Sequence, residues 1–239
     1  MKRKQAVIAA AAILFSGLSI LPVKAEDSYQ EQKDEVVMLV NEQRSAYGLP
    51  EFYESALLNQ AAQIRAEEIT QKFSHERPDG RRGITALADV GGVYWEIGEN
   101  IAGGYPDEAA VVAGWMGSEG HRNNILNEGF NAIGIGICKV GNEIYWVQMF
   151  TDGRDLTPLY TYGNINGDTA VNAQDAALVL TNAALTGAGN TEILSRMQKS
   201  YADVDHNDVV NALDAAGILK YAAYAGAGGE EDIETYLRK

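Results

Sequence analysis

The chain has 239 residues, with 33 Asp and Glu against 19 Lys and Arg and a formal net charge of −14 at pH 7. So acidic a surface repels phosphate backbones and anionic lipid, which argues against nucleic acid as a partner. Cys138 is the only cysteine, so no intramolecular disulfide forms and stability must come from core packing and bound metal.

The N-terminus runs Met1-Lys-Arg-Lys, then apolar from Ala6 to Pro22, then Val23-Lys24-Ala25. A basic start, a short apolar run and a small residue predict a secretory signal peptide over 1–25, cut after Ala25. A retained anchor is the alternative, but the run is near the lower limit for a bilayer span. A lipoprotein is excluded because no cysteine lies near the cut. Cleavage removes four positive charges and no acidic ones, taking the formal charge from −14 to −18. The expected product is secreted, extracellular, free of a stable membrane anchor and associated with a cell-surface complex. Its length suits two domains. They are expected over 30–153 and 161–227, with a Pro-containing linker at 154–160 and a polar tail, read as a frayed helix, at 228–239.

Three helices are predicted in the larger domain. The first spans 34–47, with Val36, Leu39, Val40, Gln43 and Tyr47 on one side and Gly48 and Pro50 as stops. The second spans 55–73, with Leu58, Ala61, Ala62, Arg65, Ala66 and Ile69 at helical spacing, and the third opens at Pro106-Asp-Glu and runs to Trp115. Then the period changes to two. Ile133–Cys138 and Ile144–Phe150 read as strands joined by a hairpin loop at 139–143. The expected class is α+β with an antiparallel sheet.

Two of the three histidines lie in compact polar motifs: Phe73-Ser-His-Glu-Arg-Pro-Asp-Gly80 and Trp115-Met-Gly-Ser-Glu-Gly-His-Arg-Asn-Asn-Ile-Leu126. Between them stands Trp95-Glu-Ile-Gly-Glu-Asn-Ile-Ala102. Two imidazoles and a carboxylate suit an open three-ligand zinc site, an acid/base pair without metal, or a buried polar network that only ties loops together. Spacing alone does not show that they converge. No nucleophile sits in a recognisable motif, and Cys138 reads as a small core hydrophobe in mid-strand. Glu119 reads as a first-turn residue behind an N-cap at Ser118, Glu96 as exposed, and Arg122 and Asn123 as ties for loop backbone.

Taken together the motifs resemble the CAP superfamily (cysteine-rich secretory and pathogenesis-related proteins) in its disulfide-free, bacterial SCP-like branch. The resemblance covers about 33–152 and rests on Val40-Asn-Glu-Gln-Arg44, Ser74-His75 with Arg77-Pro-Asp-Gly80, Gly98-Glu-Asn-Ile-Ala102, Trp115-Met with Ser118 and Gly120-His-Arg, the Ile-Gly-Ile-Gly strand and Trp146-Val-Gln. It implies an α-β-α sandwich with a central cleft holding His75, Glu99 and His121, as catalytic residues or zinc ligands. A second cleft Glu common in the family is missing near Met116–Ser118, and the alternative reading of Glu119 is that it partly replaces this carboxylate.

The C-terminal region carries a duplicated motif. Asn164-Ile-Asn-Gly-Asp-Thr-Ala-Val-Asn-Ala-Gln-Asp175 recurs 39 residues later as Asp203-Val-Asp-His-Asn-Asp-Val-Val-Asn-Ala-Leu-Asp214, and 164–185 matches 203–224 at nine of 22 positions. Oxygen-bearing side chains at loop positions 1, 3, 5, 9 and 12 and a backbone carbonyl at 7 are calcium-loop spacing. The ligand sets are Asn164, Asn166, Asp168, Ala170 and Asp175, and Asp203, Asp205, Asn207, Val209 and Asp214. His206, at position 4, reads as a solvated loop residue. Leu156-Thr-Pro-Leu-Tyr-Thr-Tyr-Gly163 gives the first loop no entering helix.

Over about 159–227 these units resemble dockerins, which dock onto cohesin domains of a scaffoldin. The resemblance implies a small all-α module binding two calcium ions, with Ala173, Gln174, Thr181, Ala212, Leu213 and Lys220 facing the partner. Position 6, usually Gly in that family, is Thr169 and Asp208. The second loop, richer in carboxylates, is expected to bind calcium more tightly. The whole then reads as a component of a cellulosome-type complex acting on extracellular polysaccharide. The alternatives are a metal-assisted hydrolase of peptide, ester or glycan bonds, and a non-catalytic lipid- or ligand-binding protein.

Overall fold

The computed structural model describes residues 29–153, 156–168 and 170–238. The signal-peptide reading and the Thr169 position lie outside them. The described elements are α1 (Gln30–Ala46), β1 (Tyr53–Glu54), α2 (Ala56–Ile69), α3 (Thr85–Asp89), β2 (Ile97–Gly103), α4 (Glu108–Gly117), α5 (Glu119–Ile125), β3 (Ala132–Val140), β4 (Glu143–Thr151), α6 (Ala173–Gly187), α7 (Arg196–Ala202), α8 (Ala212–Gly226) and α9 (Ile233–Leu237).

The sheet order is β1-β3-β4-β2. The β3–β4 and β4–β2 pairs are antiparallel, but the two-residue β1 runs parallel to β3, so the sheet is mixed rather than antiparallel as expected. Alternation on β3 sorts its two faces. Ile133, Ile135 and Ile137 pack with Val36, Val37 and Val40 of α1 and Val111, Val112 and Trp115 of α4. Gly134 and Gly136 face α2. A Cβ at Gly136 would stand 2.0 Å from the Ala62 carbonyl oxygen, so only glycine lets the helix lie this close. Leu58, Ala61, Ala62, Ala66 and Ile69 of α2 then bury against Val147 and Met149. The result is helix–sheet–helix layering.

Beyond β1, the edge of β3 would leave backbone groups unpaired. Side chains of α2 satisfy them: Asn59 Oδ1 accepts from Ile135 N at 2.8 Å, and Gln63 both accepts from and donates to Ile137. Arg44, buried at the end of α1, donates to the carbonyls of Pro50, Ile125 and Asn127 and lies over the Phe52 ring.

The C-terminal module packs α6 on α8 around Ile165, Val179, Leu194, Val204, Ile218 and Ile233. Each long helix is opened by the same device. Asn172 and Asn211 are N-caps, and Asp175 and Asp214 complete capping boxes. Two expectations change here. The 228–239 segment is not merely a polar tail: α9 folds within it and buries Ile233, 39 residues after the equally buried Leu194. Nor does the segment before the first loop simply span two domains. Leu159 N donates to the Glu54 carbonyl, Tyr160 is buried in the N-terminal core, and α7 lies on α1.

Candidate functional sites

The second loop brings ligand oxygens of Asp203, Asp205 and Asp214 within 4.8 Å of one another, and no other group of three His, Cys, Asp or Glu does so among the described residues. The chain reverses through left-handed backbone at His206 (φ 57°) and Asp208 (φ 63°), a conformation Asp accepts more readily than most residues. The Asp203 carboxylate accepts from the backbone of Asn207 and Asp208, and Asn207 Oδ1 accepts from Val209 N. Burial raises the pKa of Asp214, and the charges of Asp205 and Asp203 add to this. His206 is exposed, as expected of a loop residue, and stands edge-on to Tyr162 and 3.7 Å from Glu234.

The first loop is built alike. Asp175 Oδ1 accepts from Ile165 N and Asn166 N, and Oδ2 from Asn172 N. Asn164 is 5% exposed and its Oδ1 is buried without a hydrogen-bond partner. A buried carbonyl oxygen aimed into an oxygen-rich loop fits a hard cation. The residues of both loops therefore suit calcium. Ala173, Gln174, Thr181, Ala212, Leu213 and Lys220 are all exposed on α6 and α8, Leu213 at 68%. Lys220 lies over the Tyr236 ring of α9.

In the N-terminal domain, β2 carries Glu99 beneath the 74–83 loop. His75 Nδ1 stands 2.8 Å from Glu99 Oε1. The third partner is Arg65 of α2, which donates from Nε to Glu99 Oε2 at 2.7 Å and also to Glu68 and the Ser74 carbonyl. Burial opposes ionisation of Glu99, but the bonds from His75 and Arg65 outweigh it and hold the carboxyl below its usual range. The Glu99 bond raises the pKa of His75, while burial and the nearby His75 lower that of His121. His121, half-buried on α5, accepts from Asn100 through its backbone carbonyl. Asn100 also binds Gln148 and Asn124, while Arg122 donates to the Met116 carbonyl. Glu119 and Glu96 are exposed.

Residues 37–150 match the model of the cysteine-rich secretory protein family, CAP, and residues 162–223 that of the dockerin type I domain. This chain is a CAP domain followed by a dockerin type I domain. YkwD of Bacillus subtilis, uncharacterised, is 34% identical over 128 residues, covering 53% of this chain and 49% of its own. The uncharacterised membrane protein YlbC of the same organism is 40% identical over 57 residues, 24% of this chain and 15% of its own. The chain thus spans about half or less of the curated relatives it matches. An extracellular SCP-domain protein of Bacillus anthracis is similar in structure, at 29% identity and a TM-score of 0.46, covering 50% of this chain and 40% of its own.

The N-terminal domain brings His75 and Glu99 together and places His121 near enough to feel the charge of His75. It does not gather all three as one ligand group. Glu99 is held by the permanent charge of Arg65, and a divalent ion on Glu99 would sit against that guanidinium. So held, Glu99 does not fit as a direct zinc ligand, which leaves Glu99 and His75 as a pair. They fit a His–carboxylate dyad: with Nδ1 held by Glu99, the other ring nitrogen of His75 is left to take or give a proton, and the side chain is 61% exposed. Arg65 is the residue that sequence reasoning passed over as one more helix-face position. Its signal was an arginine among Ala61, Ala62 and Ala66.

Proposed function

We propose that this is a secreted component of a scaffold-borne complex, in which a calcium-loaded dockerin carries a CAP domain to a cohesin. Dockerin type I domains in general bind calcium and cohesins, which is the family ground for this reading. The carrying observation is the paired loops, with the clustered carboxylates of one and the buried, unpartnered Asn164 Oδ1 of the other. Asn164, Asn166, Asp168, the Ala170 carbonyl and Asp175 would hold one ion, and Asp203, Asp205, Asn207, the Val209 carbonyl and Asp214 the other. Bound there, calcium supplies the positive charge that lets these carboxylates lie together.

The chain does the rest. Asp175 and Asp214 each serve their loop and the capping box of the following helix, so ordering the loops orders the starts of α6 and α8. Those starts carry Ala173, Gln174, Ala212 and Leu213, with Thr181 and Lys220 further along. The first repeat offers Gln174 where the second offers Leu213, so the two faces are not equivalent. Extracellular polysaccharide breakdown is the setting this reading gives to the complex. The test is binding of the full chain to a panel of cohesin domains with calcium and with chelator.

A second reading concerns the CAP cleft. The Arg65–Glu99–His75 arrangement favours acid/base chemistry without metal over metal-assisted hydrolysis. Turnover of peptide, ester or glycan substrates by the wild-type chain, lost in His75→Ala and retained in chelator, would establish it. Activity that requires zinc would reverse it.

A further inference from the structure

Helix α7 belongs to the dockerin by sequence, yet it touches three things at once. Its first face lies on the CAP domain. Ser195, the N-cap, donates from Oγ to Asp34 Oδ2 at 2.5 Å, and Arg196 pairs with Glu42 at 2.7 Å and Glu35 at 3.4 Å. Met197 is buried in the same core as Trp115 and Trp146, and Tyr201 packs against it. The second contact is with the first calcium loop: Gln198 Nε2 donates to the Ile165 carbonyl at 3.0 Å, and the Tyr201 carbonyl accepts from Gly163 N. The third is with the second loop, because the C-cap of α7 is Asp203, the first ligand of that loop.

We infer that calcium in the dockerin loops stabilises the CAP domain and fixes its position through α7. The inference rests on the calcium reading above. Asp203 places a carboxylate at the C-terminal end of α7, where the helix dipole disfavours negative charge, and Asp205 and Asp214 crowd it. A bound cation removes both penalties, and without one this end of α7 loosens. When α7 loosens, buried Asp34 loses the Ser195 hydroxyl, and Met197 no longer covers the α1 face of the CAP core. Anything that binds the folded arrangement alone stabilises all that folds with it, so the linkage extends across the domain boundary. The CAP domain is thereby presented at a set angle to whatever holds the dockerin.

The composition supplies the probe: Trp95, Trp115 and Trp146 all lie in the CAP domain, and the dockerin has no tryptophan. Thermal unfolding of the full chain is followed by tryptophan fluorescence in saturating calcium and in chelator, with calcium uptake measured separately by calorimetry. The tryptophan midpoint is expected to rise by roughly 5 °C or more with calcium. In the double variant Arg196→Glu, Met197→Lys, calcium uptake is expected to persist and the rise to vanish. Calcium uptake with an unmoved tryptophan midpoint in the wild-type chain overturns the coupling and leaves the calcium reading standing. A full rise in a folded double variant overturns the route through α7. Absence of calcium uptake overturns both.

Discussion

The guanidinium of Arg65 and the carboxylate of Glu99 meet at 2.7 Å, both buried in the CAP domain. Removing one partner of such a pair leaves an uncompensated buried charge. Arg65→Met should therefore destabilise the chain by about 3–5 kcal/mol in urea unfolding. A loss below about 1 kcal/mol would show that His75 alone suffices to hold Glu99.

Glu99 also governs His75. The bond to Glu99 raises the folded-state pKa of His75 above its unfolded value. The stabilisation from this pair is thus fully present below the unfolded pKa and is lost as pH rises through the folded one. In Glu99→Gln the NMR titration midpoint of His75 should fall; an unchanged midpoint would mean that the hydrogen bond does not set it.

A buried pair of acids, Glu54 and Asp34, shifts stability in the same direction. Burial, then the charge of Asp34, pushes Glu54 up to about 8 from its ordinary 4.5, although Asn59 and Gln30 donate to it. Here the folded chain holds a proton that the unfolded chain has released, so stability falls as pH rises from about 4.5 towards about 8. Glu54→Gln should flatten this slope when urea midpoints at saturating calcium are compared across that range. An identical slope in the variant would assign it to other groups.

The loops should not be equal. The first offers Asp168 and Asp175, the second Asp203, Asp205 and Asp214. Calorimetric titration should show Asp214→Ala abolishing the tighter calcium step and Asp175→Ala the weaker. The reverse order would contradict the carboxylate argument.

Gly136→Ala should cost about 3 kcal/mol or prevent folding, since its Cβ would meet the backbone of Ala62. Gly117→Ala, at the open end of α4, has nothing within 4 Å and should be neutral or stabilising by up to about 1 kcal/mol. Comparable losses in both, measured by thermal unfolding, would contradict the close α2–β3 packing.

Local rhythm made much of this legible. The loop spacing and the Ile-Gly-Ile-Gly alternation each act over a few residues; the alternation is strand β3, whereas Asn172 and Asn211, read only as position-9 loop residues, prove to be N-caps. What was missed depends on distance. Strand β2 is buried along most of its length, so Gly98-Glu-Asn-Ile-Ala shows no alternation and passed for a motif alone. Two-residue β1 pairs with a strand almost eighty residues on, and carries no period of its own. Arg65 finds Glu99 34 residues away, and Ser195 finds Asp34 161 residues away. Helix α9 hides in a polar tail because Ile233 and Leu237 alone supply its apolar face.

The most direct measurement is binding of the full chain to a panel of cohesin domains, in calcium and again in chelator. The account predicts binding to at least one cohesin in calcium, lost in chelator and weakened in Leu213→Asp or in Gln174→Asp. A calcium-loaded chain that binds no cohesin, or one whose binding ignores chelator, would contradict it.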